Sequence, residues 1–281
     1  MAHVAPGRAR AHSGGMLRGM RRSLILCSLA LAGCGDNVVP DPPPAVLDGS
    51  CEGTPGRPRV LVFSRENLWT HPSNPVAQQA LLDMCTTRGF SVVASRDPFV
   101  FENYLATSDV AVFALTSGPV LDTDDRRARL ESWLRDGHGL VGIHSASATE
   151  PDWPFFGTAL GGEFYAHYPA LVTATWTSVE PDHAISAGYP VTQVRTDEWY
   201  TFEHHPDTVR GTHVLFTLDE ATMPADLPED LKMGVHPMAW THTGYGGRTF
   251  YLGLGHTPES FREPAFLDLI AHGIEWTAGS Y

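Results

Sequence analysis

Gly139-Leu-Val-Gly-Ile-His-Ser-Ala-Ser-Ala-Thr-Glu150 is the stretch on which the fold turns. Residues 139–143 form a continuous apolar run of strand length, and the run stops at His144-Ser145. Such runs suit a parallel strand buried on both faces. In several α/β enzymes the strand-to-turn junction carries a nucleophile on a sharp elbow, G-x-S-x-G. Here the window Gly142-Ile-His-Ser-Ala146 puts a histidine at the elbow and the serine one position late. No upstream G-x-S completes the motif, so a serine hydrolase is disfavoured.

The neighbouring segments extend the pattern. Residues 59–64 read as a buried strand, 74–88 as a helix closed by Gly89, 90–94 as a second strand and 109–115 as a third. Residues 122–135 read as a helix with an acidic start and apolar Leu130, Trp133 and Leu134. This β-α-β-α-β order predicts a doubly wound, flavodoxin-like α/β sheet. Ligands of such sheets bind beyond the carboxyl ends of the strands. Those ends carry Ser64, Arg65, Glu66 and His71, then Thr116 and Ser117, then His144 and Ser145. Farther on, residues 171–179 alternate as a half-exposed strand does. Residues 193–200, 213–218, 234–241 and 248–253 also read as strands, and 268–277 as a closing helix entered after Pro264. No internal repeat is visible. The expectation is a single domain with a mixed, mostly parallel sheet.

Composition narrows the class. Of 281 residues 42% are hydrophobic and 18% charged, which suits an ordered globular chain. The net charge is -13 and Lys232 is the only lysine, so the basic footprint of nucleic-acid binding is missing. At the start, Arg21-Arg22 precede an apolar run over 24–31, and Leu31-Ala-Gly-Cys34 follows. This anatomy resembles a bacterial lipoprotein signal over residues 1–33, with Cys34 the lipidated residue and Met20 an alternative start. An ordinary cleaved signal or a membrane anchor are the other readings, but the run is short for a spanning helix. The mature chain is then expected in the cell envelope, touching the membrane through its lipid only. Residues 1–33 hold five arginines and no acid, so their loss takes the net charge to about -18. Residues 34–58 read as a Pro/Gly-rich tether. Of the four cysteines, Cys51 and Cys85 remain outside the signal. Export favours a disulfide between them; two unrelated thiols are the alternative.

Chemistry must come from elsewhere than cysteine, because Cys51 lies in the tether and Cys85 inside a helix. The chain has fourteen histidines, and His71, His144, His167, His204, His205, His236 and His256 fall at strand ends or in loops. Histidine serves as acid, base or metal ligand near neutral pH. No His-Glu-x-x-His or Cys-x-x-Cys spacing is present, so no cofactor is required. A divalent metal such as zinc would need His71, His144, His167 and His256 gathered by the fold. Asp197-Glu-Trp-Tyr200 sets two carboxylates beside two aromatics, a combination suited to sugar hydroxyls and faces. On a strand only one of the two carboxylates points inward, and Glu198 is the choice. Gly253-Leu-Gly-His-Thr257 would turn tightly and present His256.

Taken together, these pieces resemble the ThuA-like family, named for trehalose utilisation. The matching runs are Arg59-Val-Leu-Val-Phe-Ser64 with His71, Gly139 through Ala146, Gly161-Gly-Glu-Phe164 with His167, Asp197-Glu-Trp-Tyr200 with Phe202, His236-Pro-Met-Ala-Trp240, and Gly247 through Thr257. They come in family order and cover about residues 59–278. The resemblance implies a class I glutamine amidotransferase-like sheet whose elbow cysteine is replaced by His144. It implies a role in disaccharide catabolism through 3-keto sugars. It also implies a site gathering His71, His144, His167, Glu198, Tyr200 and His256. The enzyme reading gives His144, His71, Glu198 and His256 the chemistry and Ser145, His167, Tyr200 and Trp199 the saccharide contacts. The other reading is a saccharide-binding lipoprotein without catalysis.

Overall fold

Apolar runs one residue out of phase explain how the central strands bury both faces. A computed structural model describes residues 47–280; the expected signal over residues 1–33, Met20, Cys34 and most of the expected tether lie outside the described residues. Strands β1 (Gly49–Cys51), β2 (Arg59–Phe63), β3 (Ser91–Ser95), β4 (Val110–Ala114) and β5 (Gly139–Ile143) build the first half of the sheet. Helices α1 (Asn74–Arg88), α2 (Pro98–Leu105) and α3 (Asp124–Arg135) alternate with them. Along β2, Val60 and Val62 join one core with Leu81 and Met84 of α1. Leu61 and Phe63 join the other, with Phe101 of α2 and Leu130 and Leu134 of α3. Each side chain thus faces opposite its neighbour, and helices cover both faces.

The second half adds α4 (Pro154–Leu160), β6 (Phe164–His167), β7 (Val172–Ser178), β8 (Thr192–Asp197), β9 (Tyr200–Phe202), β10 (Thr212–Leu218), β11 (His236–His242), β12 (Arg248–Leu252) and α5 (Pro264–Thr277). The main sheet has ten strands in the order β1-β3-β2-β4-β5-β12-β11-β10-β7-β8. Strands β3, β2, β4, β5 and β12 run parallel, and the rest pair antiparallel. A separate two-stranded sheet pairs β6 with β9. The expected doubly wound α/β domain with a mixed sheet is present. Among the described residues no helix is long and apolar enough to cross a membrane.

Local chemistry sets the helix ends. Thr123 caps α3 by accepting from the Arg126 N–H, with Asp124 and Asp125 in the first turn. Asp97 caps α2 in the same way, followed by Pro98 at the first position. Gly89 ends α1 at φ 73°, a left-handed cap.

The structure corrects three expectations. The end of the tether is ordered: β1 pairs with β3, and a Cys51–Cys85 disulfide clamps it to α1. The continuous strand over 193–200 is broken, because β8 stops at Asp197 and β9 leaves for the two-stranded sheet. Helices α2 and α4 occupy stretches with no element expected. Each is short and opens with proline, so its apolar residues span too few turns to show a period.

Candidate active site

Three histidines reach the carboxyl rim from the parallel half: His71 from the loop after β2, His144 from the end of β5 and His256 from the turn after β12. His144 sits at the elbow with φ 53°, a left-handed conformation that costs a non-glycine residue about 1–2 kcal/mol. Its carbonyl accepts from the Tyr251 hydroxyl at 2.8 Å, and that hydroxyl also lies 2.9 Å from Ser147 Oγ. The refitted elbow is therefore held from behind.

The break between β8 and β9 decides what happens to the paired carboxylates. Without a continuous strand they need not alternate, and both turn toward the rim. Asp197 is fully buried; it accepts from the backbone N–H groups of Glu198, Gly255 and His256 at 2.9–3.1 Å. It thereby ties the His256 turn, in which Gly255 stands at φ 125°, to the end of β8. Glu198 reaches the histidines instead. Its Oε2 lies 3.0 Å from His256 Nδ1 and 3.5 Å from His144 Nε2, and its Oε1 lies 3.6 Å from His167 Nε2.

Hydrogen bonds on the far side of each ring fix the tautomers. His144 Nδ1 faces the Gly253 carbonyl at 3.0 Å, which only accepts, so Nδ1 carries the proton. Its Nε2 is then the acceptor for the Tyr200 hydroxyl at 2.9 Å. His71 Nδ1 lies 3.0 Å from Glu66 Oε1, which also accepts the His71 backbone N–H. Its Nε2 is thereby turned toward the cluster, its ring 5.0 Å from that of His144 and 5.4 Å from that of His256.

Burial and charge then divide the roles. Burial pushes the His144 imidazole below its ordinary value, outweighing the pull of Glu198, and nearby His71 adds to the fall. Burial opposes charge on Glu198, but His144 and His256, with His167 beyond, hold its carboxyl well below the usual carboxylate range. Burial also lowers His256, but Glu198 and Asp197 outweigh it and raise the imidazole above its ordinary value. Burial, then Glu198, pushes the Tyr200 phenol well up.

These groups open into a cavity of about 350 Å³ lined by Trp69, Thr70, His71, Phe164, His167, Pro169, Glu198, Tyr200 and His256. A larger cavity of about 570 Å³ lies at the opposite, amino-terminal rim. Its arginines are engaged in ion pairs, Arg59 with Asp109 and Arg57 with Glu275. The smaller one brings His71, His167, His256 and Glu198 together.

Several sequence-chosen residues stand elsewhere than expected. His144 is 0% exposed and does not line the cavity; it backs Tyr200 and Glu198. Ser145 is fully buried, its hydroxyl without a partner and outside the cavity lining. Trp199 turns into the core and donates to the Val172 carbonyl at 2.8 Å. His204 and His205 lie outside the cluster. His236 supports it from below, with Nδ1 2.8 Å from Glu220 Oε1 and Nε2 2.8 Å from the Tyr200 carbonyl. Among the described residues, the group able to hold a metal ion is His71, His144, Glu198 and His256, whose donor atoms lie within 4.8 Å of one another. His167 is replaced in it by Glu198, since His167 meets only the outer carboxylate oxygen. Trp69, Thr70, Phe164 and Pro169 were missed, although Trp69 stands two residues before His71 on the rim loop.

The pattern of the ThuA family, described as trehalose utilisation, matches residues 59–277. The chain belongs to the ThuA family. A solved ThuA-like protein from Bacteroides uniformis superposes with a TM-score of 0.66 at 21% identity, covering 79% of this chain and 92% of that one. A ThuA-like protein from Parabacteroides merdae gives 0.61 at 17% identity, covering 80% and 91%. These likenesses carry the fold, and ThuA membership supports a role related to trehalose utilisation. No curated protein matches the chain.

Proposed function

We propose that this ThuA-family chain is an envelope lipoprotein, anchored through Cys34, that processes a disaccharide or its 3-keto derivative by proton transfer. The observation that carries this reading is the cavity itself. One wall is aromatic, with Trp69, Phe164 and Tyr200, and the other offers the imidazoles of His71, His167 and His256 beside the Glu198 carboxylate. Glu198 beside His256 raises that imidazole and marks it as the acid, while Glu66 orients the His71 ring with its Nε2 turned toward the cavity.

His71 is the base. Its Nε2 lone pair faces the cavity, and Glu66 behind it stabilises the imidazolium that forms on proton uptake. His256 is the acid, held protonated by Glu198. A carbonyl at C3 of a keto sugar acidifies the C2 hydrogen. His71 takes that proton, the C2–H electron pair forms the C1–C2 double bond, and the C1–O bond breaks. His256 gives its proton to the departing oxygen. The products are an unsaturated keto sugar and the free alcohol, with no nucleophile needed. His144 stays neutral and positions Tyr200 and Glu198.

The four-residue cluster also fits a divalent cation such as zinc. His71 and His144 are each oriented from outside by Glu66 and the Gly253 carbonyl, as metal-bound histidines usually are. His256 Nδ1 is buried without an aligned hydrogen bond. A bound cation would polarise the sugar carbonyl, and because it would take up the His71 lone pair it is an alternative to the His71 base step and not an addition to it. The test is to incubate the purified chain with trehalose and 3-ketotrehalose and follow products by NMR, with metal content measured by elemental analysis. Turnover of the keto sugar that falls at least a hundredfold in His71→Ala and His256→Ala is expected. Binding of sugar without turnover in the wild type would instead make the chain a binding module.

A further inference from the structure

The mouth of the cavity is built around a residue that proton transfer does not use. Trp69 is half-buried, lines the cavity and sits between exposed Leu68 and exposed Thr70. Its loop is unusually well fastened. The Trp69 N–H donates to Ser117 Oγ at 3.0 Å, and the same hydroxyl donates back to the Trp69 carbonyl at 2.9 Å. Asn67 is tied to the same neighbour through Ser117 O and through Pro119 O. Gly118, at φ 73°, lets this second loop approach Leu68: a Cβ there would meet the Leu68 side chain at 3.0 Å. The indole meets Phe164 near edge-on at 5.4 Å, and Phe164 meets Tyr200 at 4.6 Å. This chain of rings runs from the mouth down to the hydroxyl beside His144.

An aromatic side chain fixed at a cavity mouth, opposite polar groups deeper in, is arranged to hold a flat apolar face of a ligand. A saccharide chain has such faces, one per ring. Resting on the saccharide reading above, we propose that Trp69 is a specificity-determining residue: it stacks the second, non-reacting sugar ring while the His71–His256–Glu198 floor engages the first. The cavity lining includes no arginine or lysine. Recognition of that outer ring therefore rests on stacking and not on charge. Fixing the loop in advance removes the ordering cost that a mobile tryptophan would charge against binding.

The proposal is tested by calorimetric titration of the purified chain and of Trp69→Ala and Trp69→Phe with trehalose, 3-ketotrehalose and the one-ring probe methyl α-glucoside. Trp69→Ala should weaken the two-ring ligands roughly ten- to thirtyfold and the one-ring probe less than threefold, with Trp69→Phe in between. A loop whose role is only structural would weaken all three alike, and that result overturns the proposal. So does wild-type affinity for the two-ring ligands in Trp69→Ala. If the wild type binds none of the three, the saccharide reading fails and Trp69's role falls with it. Wild-type binding with an unmoved Trp69→Ala strikes the proposal alone.

Discussion

Replacing Tyr251 by phenylalanine isolates what holds the elbow. The substitution removes one oxygen and leaves the ring, so no large cavity opens in the fully buried site. It deprives the His144 carbonyl of its 2.8 Å donor and Ser147 Oγ of its 2.9 Å partner. Stranding a buried acceptor costs about 1–3 kcal/mol. Ser147 Oγ stands 3.4 Å from the same carbonyl and recovers part of this by turning toward it. His144 keeps its left-handed φ of 53° with less to hold it there. The expected loss is about 1.5–2.5 kcal/mol. At about 2–4 °C per kcal/mol for a domain of this size, Tm falls by roughly 3–10 °C. Tyr245→Phe is the control: its hydroxyl meets Thr249 Oγ1 at 2.8 Å with no strained turn attached, and it should cost about 1 kcal/mol. The assay is urea denaturation of Tyr251→Phe, Ser147→Ala and the double variant. Coupling of about 0.5 kcal/mol or more is expected for residues sharing one network. Additivity within about 0.3 kcal/mol, or a Tm unchanged within the error of the melt, would refute the bracing of His144 by Tyr251.

Gly273→Ala in α5 sets helix propensity against packing. Alanine gains about 1 kcal/mol in a helix, but its Cβ would lie 2.1 Å from Cδ1 of fully buried Phe250. Overpacking costs about 1–3 kcal/mol, so Tm should fall, and a higher Tm would show that α5 can retreat from the sheet. Replacing Cys51 and Cys85 by serine opens a loop spanning 34 positions. The chain-entropy relation assigns that about 3–4 kcal/mol, and thermal melts with and without reductant should show the double variant lower and insensitive to reductant. Glu220 supplies a pH test. Burial opposes its charge, but the Met233 and Gly234 N–H groups and His236 outweigh it, holding its carboxyl below the ordinary 4.5. A depressed carboxyl adds stability above its unfolded value and loses it as pH falls through the folded one. Urea midpoints of wild type and Glu220→Gln should therefore converge on acidification below about pH 4.5, and parallel curves would exclude the assignment.

The parallel half was legible because its strands are buried on both faces. Val60-Leu-Val-Phe63 and Val110-Ala-Val-Phe-Ala114 cannot be exposed at either face without loss, so composition alone marks them. The antiparallel half was legible in existence and blurred at its ends. What failed is instructive at Asp197 and Glu198. Strand alternation does not carry through the point where β8 ends, and the two carboxylates take different tasks on the same rim. Past that point Trp199 lies in the core and Tyr200 at the site. His144 was placed at the right turn but one layer too shallow, because burial at an elbow depends on what packs over it, here Tyr200. Trp69 was passed over because a lone aromatic in a loop has no period. Its meaning comes from Ser117, distant in sequence.

The small β6–β9 sheet has a consequence for how such a pocket diversifies. His71, His144 and His256 hang from the main sheet, while Phe164, His167 and Tyr200 belong to the two-stranded one. Glu198 stands at the junction. Reactivity and shape are therefore inherited through separate pieces of backbone. Substitutions at Phe164 in β6 can recut the wall for another ligand without disturbing the registers that aim the imidazoles, whereas Tyr200 and His167 touch His144 and Glu198, so Phe164 is the natural place to retune selectivity.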